Sequence, residues 1–103
     1  MIRHIVFFSV KDPTDRERVE QGLQLLAATP HALNFEIGRN LNGDAISEPV
    51  DFVVYGEFED EAALAAYKAD PLYQRSIDIV RPLRELRIAA DFVSSIGSGA
   101  PGD

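Results

Sequence analysis

The sequence predicts an α+β domain ordered β-α-β-β-α-β, the split βαβ arrangement of ferredoxin-like folds, with a four-stranded antiparallel-containing sheet. Three observations predict it. Residues 2–10, 33–41, 51–58 and 86–93 are rich in β-branched and aromatic residues or alternate with period two, as strands do. Between the first pair and the second pair of these stretches, apolar residues recur at helical spacing behind an Asp-Pro step, as helices begin. A chain of 103 residues, 46% hydrophobic and 26% charged, has room for one domain of ordinary globular composition.

The first strand carries Ile2, Val6, Phe8 and Val10 with His4 on one face, and Ile5 and Phe7 on the other. A strand apolar on both faces is central in its sheet. Asp12 is placed to cap the following helix and Pro13 to occupy its first turn, where a missing N–H costs nothing. Val19, Gly22, Leu23, Leu26 and Ala27 then form one apolar stripe, and Thr29-Pro30 ends it. The second strand sets Leu33, Phe35 and Ile37 against Asn34, Glu36 and Gly38. Residues 40–49 are dense in turn formers and read as an exposed loop.

The third strand sets Phe52, Val54, Gly56 and Phe58 against Val53, Tyr55 and Glu57. Asp60 or Glu59 opens an alanine-rich helix through about Ala69, since acidic residues suit the positive end of the helix dipole. Asp70-Pro71 repeats the cap-then-proline start, giving a second helical segment to near Arg81 that Pro82 breaks. The last strand alternates Leu86, Ile88, Ala90 and Phe92 with Arg87, Ala89, Asp91 and Val93. Residues 94–103, with Gly97-Ser98-Gly99-Ala100-Pro101-Gly102, have the composition of a flexible C-terminal tail, so the domain is expected to span residues 1–93.

Right-handed crossovers are expected to place the first and third strands side by side and parallel, with the fourth antiparallel on the other flank of the first. Both helices then cover one face. The other face carries Ile5, Phe7, Val53 and Tyr55, or the alternate set, and either would form a large exposed apolar patch. A second copy packing sheet to sheet would bury it. A domain of this size buries only roughly 60–70% of its unfolded surface, so a homodimer also extends a modest core.

A net charge of −7 and a pI near 4.7 argue against nucleic acid and against anionic membranes, which are bound through clustered Lys and Arg. Without cysteine there is no disulfide, thiol nucleophile or thiolate metal site, and a reducing cytoplasm suits the chain. The opening apolar run is too short for a secretory signal, and no stretch reaches the ~18 apolar residues of a membrane span. No phosphate loop, zinc spacing or nucleophile elbow occurs, so no cofactor and no metal are implied. Glu57, Glu59, Asp60 and Glu61 read as a solvated, helix-capping run.

Four patterns coincide: Ile2-Arg3-His4-Ile5-Val6-Phe7-Phe8, the run from Val53 to Asp60, Tyr67-Lys68-Ala69-Asp70-Pro71-Leu72-Tyr73, and Ala90-Asp91-Phe92. In their order and spacing the chain resembles the stress-responsive A/B barrel (Dabb) family, within the dimeric α/β-barrel superfamily, over about residues 1–93. The resemblance implies a homodimer whose two sheets pack face to face into a barrel, with a cleft in each subunit between sheet and helices. Most members have no assigned reaction. One similar plant branch cyclises polyketide chains with a tyrosine, which matches Tyr67, and a first-strand histidine, which matches His4. The histidine acting there as base corresponds to Tyr73, and a tyrosine hydroxyl is a weaker proton acceptor than an imidazole at neutral pH.

The resemblance turns the His4 face toward the cleft. Across an antiparallel ladder His4 is expected level with Asp91, whose carboxylate would fix the imidazole tautomer and favour its protonated form. The pair is either an acid/base element or a hydrogen-bonded pin holding two strands in register. Tyr67 and Tyr73 flank the Asp70-Pro71 break and lean toward one opening, while Tyr55 falls on the dimer face. The candidate catalytic residues are His4, Tyr73 and Asp91. The expected ligand contacts are Val6, Phe8, Val19, Leu23, Phe35, Val54, Tyr67 and Ile79. Arg84 and Arg87 could hold an anionic ligand, although Glu85 and the overall acidity favour ion pairs within or between subunits, and His31 is expected in an exposed loop.

Three functions follow from these expectations. One is a homodimer binding a small apolar or aromatic molecule in the cleft. Another is a cofactor-independent enzyme, cyclising or isomerising an activated carbonyl compound or oxidising a phenol or quinol as monooxygenases of similar architecture do. The third is a purely structural or stress-related dimer. No motif specifies a reaction.

Overall fold

Strand β1 (Ile2–Val10) lies inside a four-stranded sheet of order β2-β3-β1-β4, in which β2 is Asn34–Arg39, β3 is Phe52–Phe58 and β4 is Arg84–Val93. The structure, a computed structural model, describes residues 1–96. The predicted tail from Gly97 onward lies outside the described residues. Every neighbouring pair of strands is antiparallel, which corrects the expectation that the first and third run parallel. The handedness rule acts on strands joined by a helix, β1 with β2 and β3 with β4, and in each case another strand is inserted between them. β3 enters between β2 and β1 after a chain reversal, so it opposes both.

Asp12 caps the first helical segment by accepting from the Thr14 N–H at 3.0 Å. A 3₁₀ turn (Pro13–Asp15) leads into α1 (Arg16–Gln24), and a second 3₁₀ turn (Leu25–Ala28) closes it before Pro30. Asp60 caps α2 (Glu61–Ala69) through the Ala63 N–H at 2.8 Å, and Asp70 caps α3 (Pro71–Val80) through the Leu72 N–H at 2.9 Å. Asp70 is extended because the ring of a following proline disfavours helical backbone in the residue before it. α2 and α3 are therefore two helices at a sharp joint. His31, expected in an exposed loop, is half-buried with Nε2 3.2 Å from the Asp70 carboxylate at this joint.

The helices pack on one face of the sheet. Val19, Leu23 and Leu26 from the first helical segment, Leu64 and Tyr67 from α2 and Val80 from α3 meet Ile2, Val6, Phe8, Phe52, Val54 and Phe58 in one core. Gly22 lets α1 approach α3, since a Cβ there would lie 2.8 Å from Ile79 Cγ2 and 2.9 Å from Val80 Cγ2. Ser9 marks a register shift between β1 and β4. Its buried hydroxyl accepts from the Leu86 N–H at 3.1 Å and so satisfies a backbone donor at the irregularity. Asp51 ties the same end together: its carboxylate accepts from the Val10 N–H at 2.9 Å and from Arg16 Nε at 3.0 Å.

The opposite face has no helical cover. It carries Ile5, Val53 and Ala90 with Phe7 at 37%, Ile88 at 53% and Phe92 at 48% exposure, an apolar surface one side chain deep. One end of it is polar: Arg3 pairs with Glu57 at 3.0 Å, and the Tyr55 hydroxyl sits between them, 2.5 Å from Glu57. The chain is an open sheet and not a closed barrel, so barrel closure needs a second sheet. Among the described residues no helix is long and apolar enough to cross a membrane.

Gly56 faces His4 across the ladder, and a Cβ there would meet Phe58 Cε2 at 2.8 Å and Phe35 Cδ2 at 3.0 Å. Gly56→Ala should therefore overpack the core and lower unfolding free energy by about 1–3 kcal/mol in urea titrations. Gly38→Ala, where a Cβ would meet nothing within 4 Å, should be neutral or stabilising by up to about 1 kcal/mol. Equal effects at the two positions would refute this account of the packing.

Candidate functional site

On the helix-covered face a cavity of about 330 Å³ opens between the sheet and α3. Its floor is β1 and β3, contributing Val6, Phe8 and Val54; Leu23 and Leu26 close one side, and Ile77 and Val80 of α3 the other. Polar groups enter at a few points: His4, Tyr67, Tyr73, buried Ser76, and Arg81, Arg84 and Arg87. A mostly apolar cleft of this size with few convergent polar groups has the make-up of a small-molecule site.

Of the residues expected to line the cleft, the structure gathers His4, Val6, Phe8, Leu23, Val54, Tyr67 and Tyr73 around one space. Three lie elsewhere. Val19 is fully buried under α1, Phe35 stacks behind Tyr67 with ring centroids 5.5 Å apart, and Ile79 fills the α1–α3 seam against Gly22. Asp91 stands outside the lining, behind His4. The reading missed Leu26, Ser76, Ile77, Val80, Arg81 and the cavity position of the arginines. Tyr73, Ser76, Ile77, Val80 and Arg81 recur at three- and four-residue spacing, so the face of α3 that lines the cavity was present in the sequence; choosing Ile79 placed the face one residue off.

His4 is level with Asp91, and its Nδ1 lies 2.5 Å from the Asp91 carboxylate. An ionised carboxylate only accepts, so Nδ1 carries the proton and Nε2 the lone pair of a neutral ring. Burial holds the imidazole below its usual range, outweighing the opposing pull of Asp91, while the charges of Lys68 and Arg87 lower it further. Asp91 does favour the protonated form, as expected, but burial outweighs it. The carboxylate is part-exposed at 36% and shares its charge with Lys68 at 4.0 Å, whereas the imidazole is buried almost completely, so desolvation wins.

Tyr67 is the aromatic hub. Its ring meets Phe58 and Tyr73 at centroid distances of 5.1 Å, the latter edge to face, and His4 at 5.9 Å. Burial pushes its hydroxyl well above the ordinary tyrosine range, so it stays protonated and can donate. It is the one buried side-chain polar atom among the described residues without a hydrogen-bond partner. Leaving such a group unsatisfied costs about 1–3 kcal/mol, which a ligand oxygen or an ordered water would relieve. Tyr73 accepts from Arg87 Nη2 at 3.3 Å.

The carboxylate run of β3 and α2 is divided between structural tasks, Glu57 bonding Arg3, Asn34 and Tyr55, and Asp60 capping α2. Arg84 and Arg87, expected mainly in ion pairs, join none among the described residues.

The model of the Stress Responsive A/B Barrel Domain (Dabb) family matches residues 2–94. No curated protein matches the chain in sequence. Among solved structures, a dimeric ferredoxin-like protein of unknown function from Thermobifida fusca is 31% identical, with a TM-score of 0.77 and 90% of each chain covered. A Dabb family protein with a ferredoxin-like fold from Mesorhizobium loti is 24% identical, with a TM-score of 0.75, over 90% of this chain and 95% of that one. A putative antibiotic biosynthesis monooxygenase from Nitrosomonas europaea is 21% identical, with a TM-score of 0.77, over 92% and 99%, a likeness of fold alone.

Because the folded-state pKa of His4 lies below its unfolded value near ~6.5, the unfolded chain binds more protons in the window beneath that value. The contribution of His4 to stability is complete above that window and is lost as pH falls through it, by at most about 1.4 kcal/mol per pH unit. The stability difference between wild type and His4→Gln in urea should therefore shrink between pH 7.5 and pH 5. A difference that grows on acidification would mean that Asp91 outweighs burial.

Proposed function

The chain belongs to the stress responsive A/B barrel domain family, and on that footing we propose that it is a homodimer binding a small apolar or aromatic molecule beneath its helices. The observation that carries this reading is the 330 Å³ cavity, whose walls are apolar and whose lining includes Tyr67, a residue with a buried hydroxyl that has no partner. A cavity that existed only through loose packing would have no reason to enclose a hydroxyl at such cost. The pairing of two copies is supported by the uncovered face of Ile5, Phe7, Ile88 and Phe92, and by the dimeric description of the Thermobifida protein.

The His4–Asp91 pair supports a second reading, cofactor-independent acid/base chemistry on a carbonyl compound. A neutral imidazole held by Asp91 presents Nε2 as a proton acceptor, and the Tyr67 O–H can donate to the oxygen on which charge develops. In this reading His4 is the base, Asp91 its positioning residue, and Tyr73, bonded to Arg87, a wall. Solvent deuterium exchange at the α-carbon of phenylacetone, lost in His4→Gln, would favour it. No exchange alongside tight binding would leave the binding protein.

N-phenyl-1-naphthylamine, a neutral fluorescent probe, should bind saturably at one site per chain and be excluded by Ile77→Trp, which fills the cavity from a half-buried position. By light scattering the wild type should be a dimer and Ile88→Glu a monomer. A dimer that ignores the probe would be a structural dimer instead.

A further inference from the structure

The mouth of the cavity is basic in an acidic protein. Arg81 follows the last turn of α3, and Arg84 and Arg87 project from the start of β4 on the face shared with Phe8 and Val10. The chain carries 17 acidic residues against 10 lysines and arginines, so most cations should find a carboxylate. Arg3, Arg16, Arg18, Arg39 and Lys68 do, as both histidines do, while Lys11 and Arg75 are exposed surface cations that do not. The three arginines of the mouth pair with none among the described residues, and the contact recorded for Arg87 is to the neutral Tyr73 hydroxyl. Three guanidinium groups without carboxylate partners at an apolar cavity offer donors of the geometry that suits an oxyanion.

From this arrangement we infer that the ligand is a small amphipathic carboxylate, an aromatic or short-chain acid whose apolar body lies between Val54, Leu23 and Ile77 and whose carboxylate rests on Arg84 and Arg87. The inference rests on the reading of the cavity as a ligand site. The polar groups of the lining differ in kind. Tyr67, buried and uncharged, suits a carbonyl or phenol oxygen; the guanidinium groups of half-buried Arg84 and exposed Arg81 and Arg87 suit a full negative charge. A carboxylate is favoured over a dianionic phosphate because the surrounding chain is itself negative, and Glu85 and Asp91 lie close by on β4. The same arginines would select acids from a mixture of apolar compounds of similar size, which the walls alone cannot do.

Isothermal titration of the dimer with 2-naphthoate, its neutral amide 2-naphthamide, and 2-naphthyl phosphate separates the possibilities. Naphthoate should bind roughly tenfold or more tightly than naphthamide, as expected of a charge-assisted hydrogen bond. Naphthyl phosphate should bind more weakly than naphthoate. Arg84→Gln combined with Arg87→Gln should bring the acid-to-amide ratio near one, while Arg75→Gln, an exposed arginine of α3 outside the lining, should keep it. Equal binding of acid and amide would overturn the carboxylate assignment and leave the apolar site standing. Tighter binding of the phosphate would also overturn it. Binding of none of the three would remove the ligand site and the inference with it.

Discussion

A sheet that is apolar on both faces but covered by helices on only one imposes the terms on which the rest of this molecule is built. β1 and β3 are the inner strands, and their residues alternate between the helix-covered core and an open surface of Ile5, Phe7 and Val53. Three helices of nine or ten residues cannot wrap both sides. One side therefore becomes a core with a cavity in it. The other becomes a surface whose exposed aromatic and aliphatic groups are stable in water chiefly when paired, with Arg3, Tyr55 and Glu57 giving it a polar end that would help to set the register of a partner.

The same division explains the chemistry of the site. His4 alternates onto the helix side, where burial works against its charge, and Asp91, on the edge strand β4, reaches it from a part-exposed position. The outcome is a neutral, oriented imidazole where an exposed pair would have been an ion pair. Tyr67 is brought against it by α2, whose start is fixed by the Asp60 cap and whose end is fixed by the Asp70-Pro71 joint. That joint also turns α3, so that Tyr73, Ser76 and Ile77 close the cavity and Arg81 reaches its mouth. The structural and chemical roles of the His4–Asp91 pair are compatible: the bond that pins β1 to β4 is the bond that sets the tautomer.

Much of this was legible in the chain. Period-two alternation located every strand to within two or three residues at either end, and three Asp caps, two followed by Pro, located the helices because their signals are local and chemical. The level placement of His4 and Asp91 followed from counting along an antiparallel pair. What escaped depends on three-dimensional placement. The direction of β3 is decided by the β2–β3 reversal and not by the helix crossovers. Val19, Phe35 and Ile79 lie outside the cavity lining because an apolar residue on the correct layer can serve packing or the cavity, and only its three-dimensional placement separates the two. The direction of the His4 shift needs the relative burial of the two partners, and the absence of an ion pair at Arg84 and Arg87 within the chain needs the placement of side chains such as Glu85, its sequence neighbour.

Membership of the family accounts for the fold and specifies no ligand. In the proposed function the two apolar faces divide the labour, the helix side receiving a small molecule and the open side a second copy. Methyl NMR spectra of the dimer titrated with N-phenyl-1-naphthylamine test it most directly. The methyls of Val6, Leu23, Val54, Ile77 and Val80 should shift, and those of Ile5, Val53 and Ile88 should stay in place. Shifts confined to Ile5, Val53 and Ile88 would contradict the account, because the probe would then be sitting on the surface assigned to the partner.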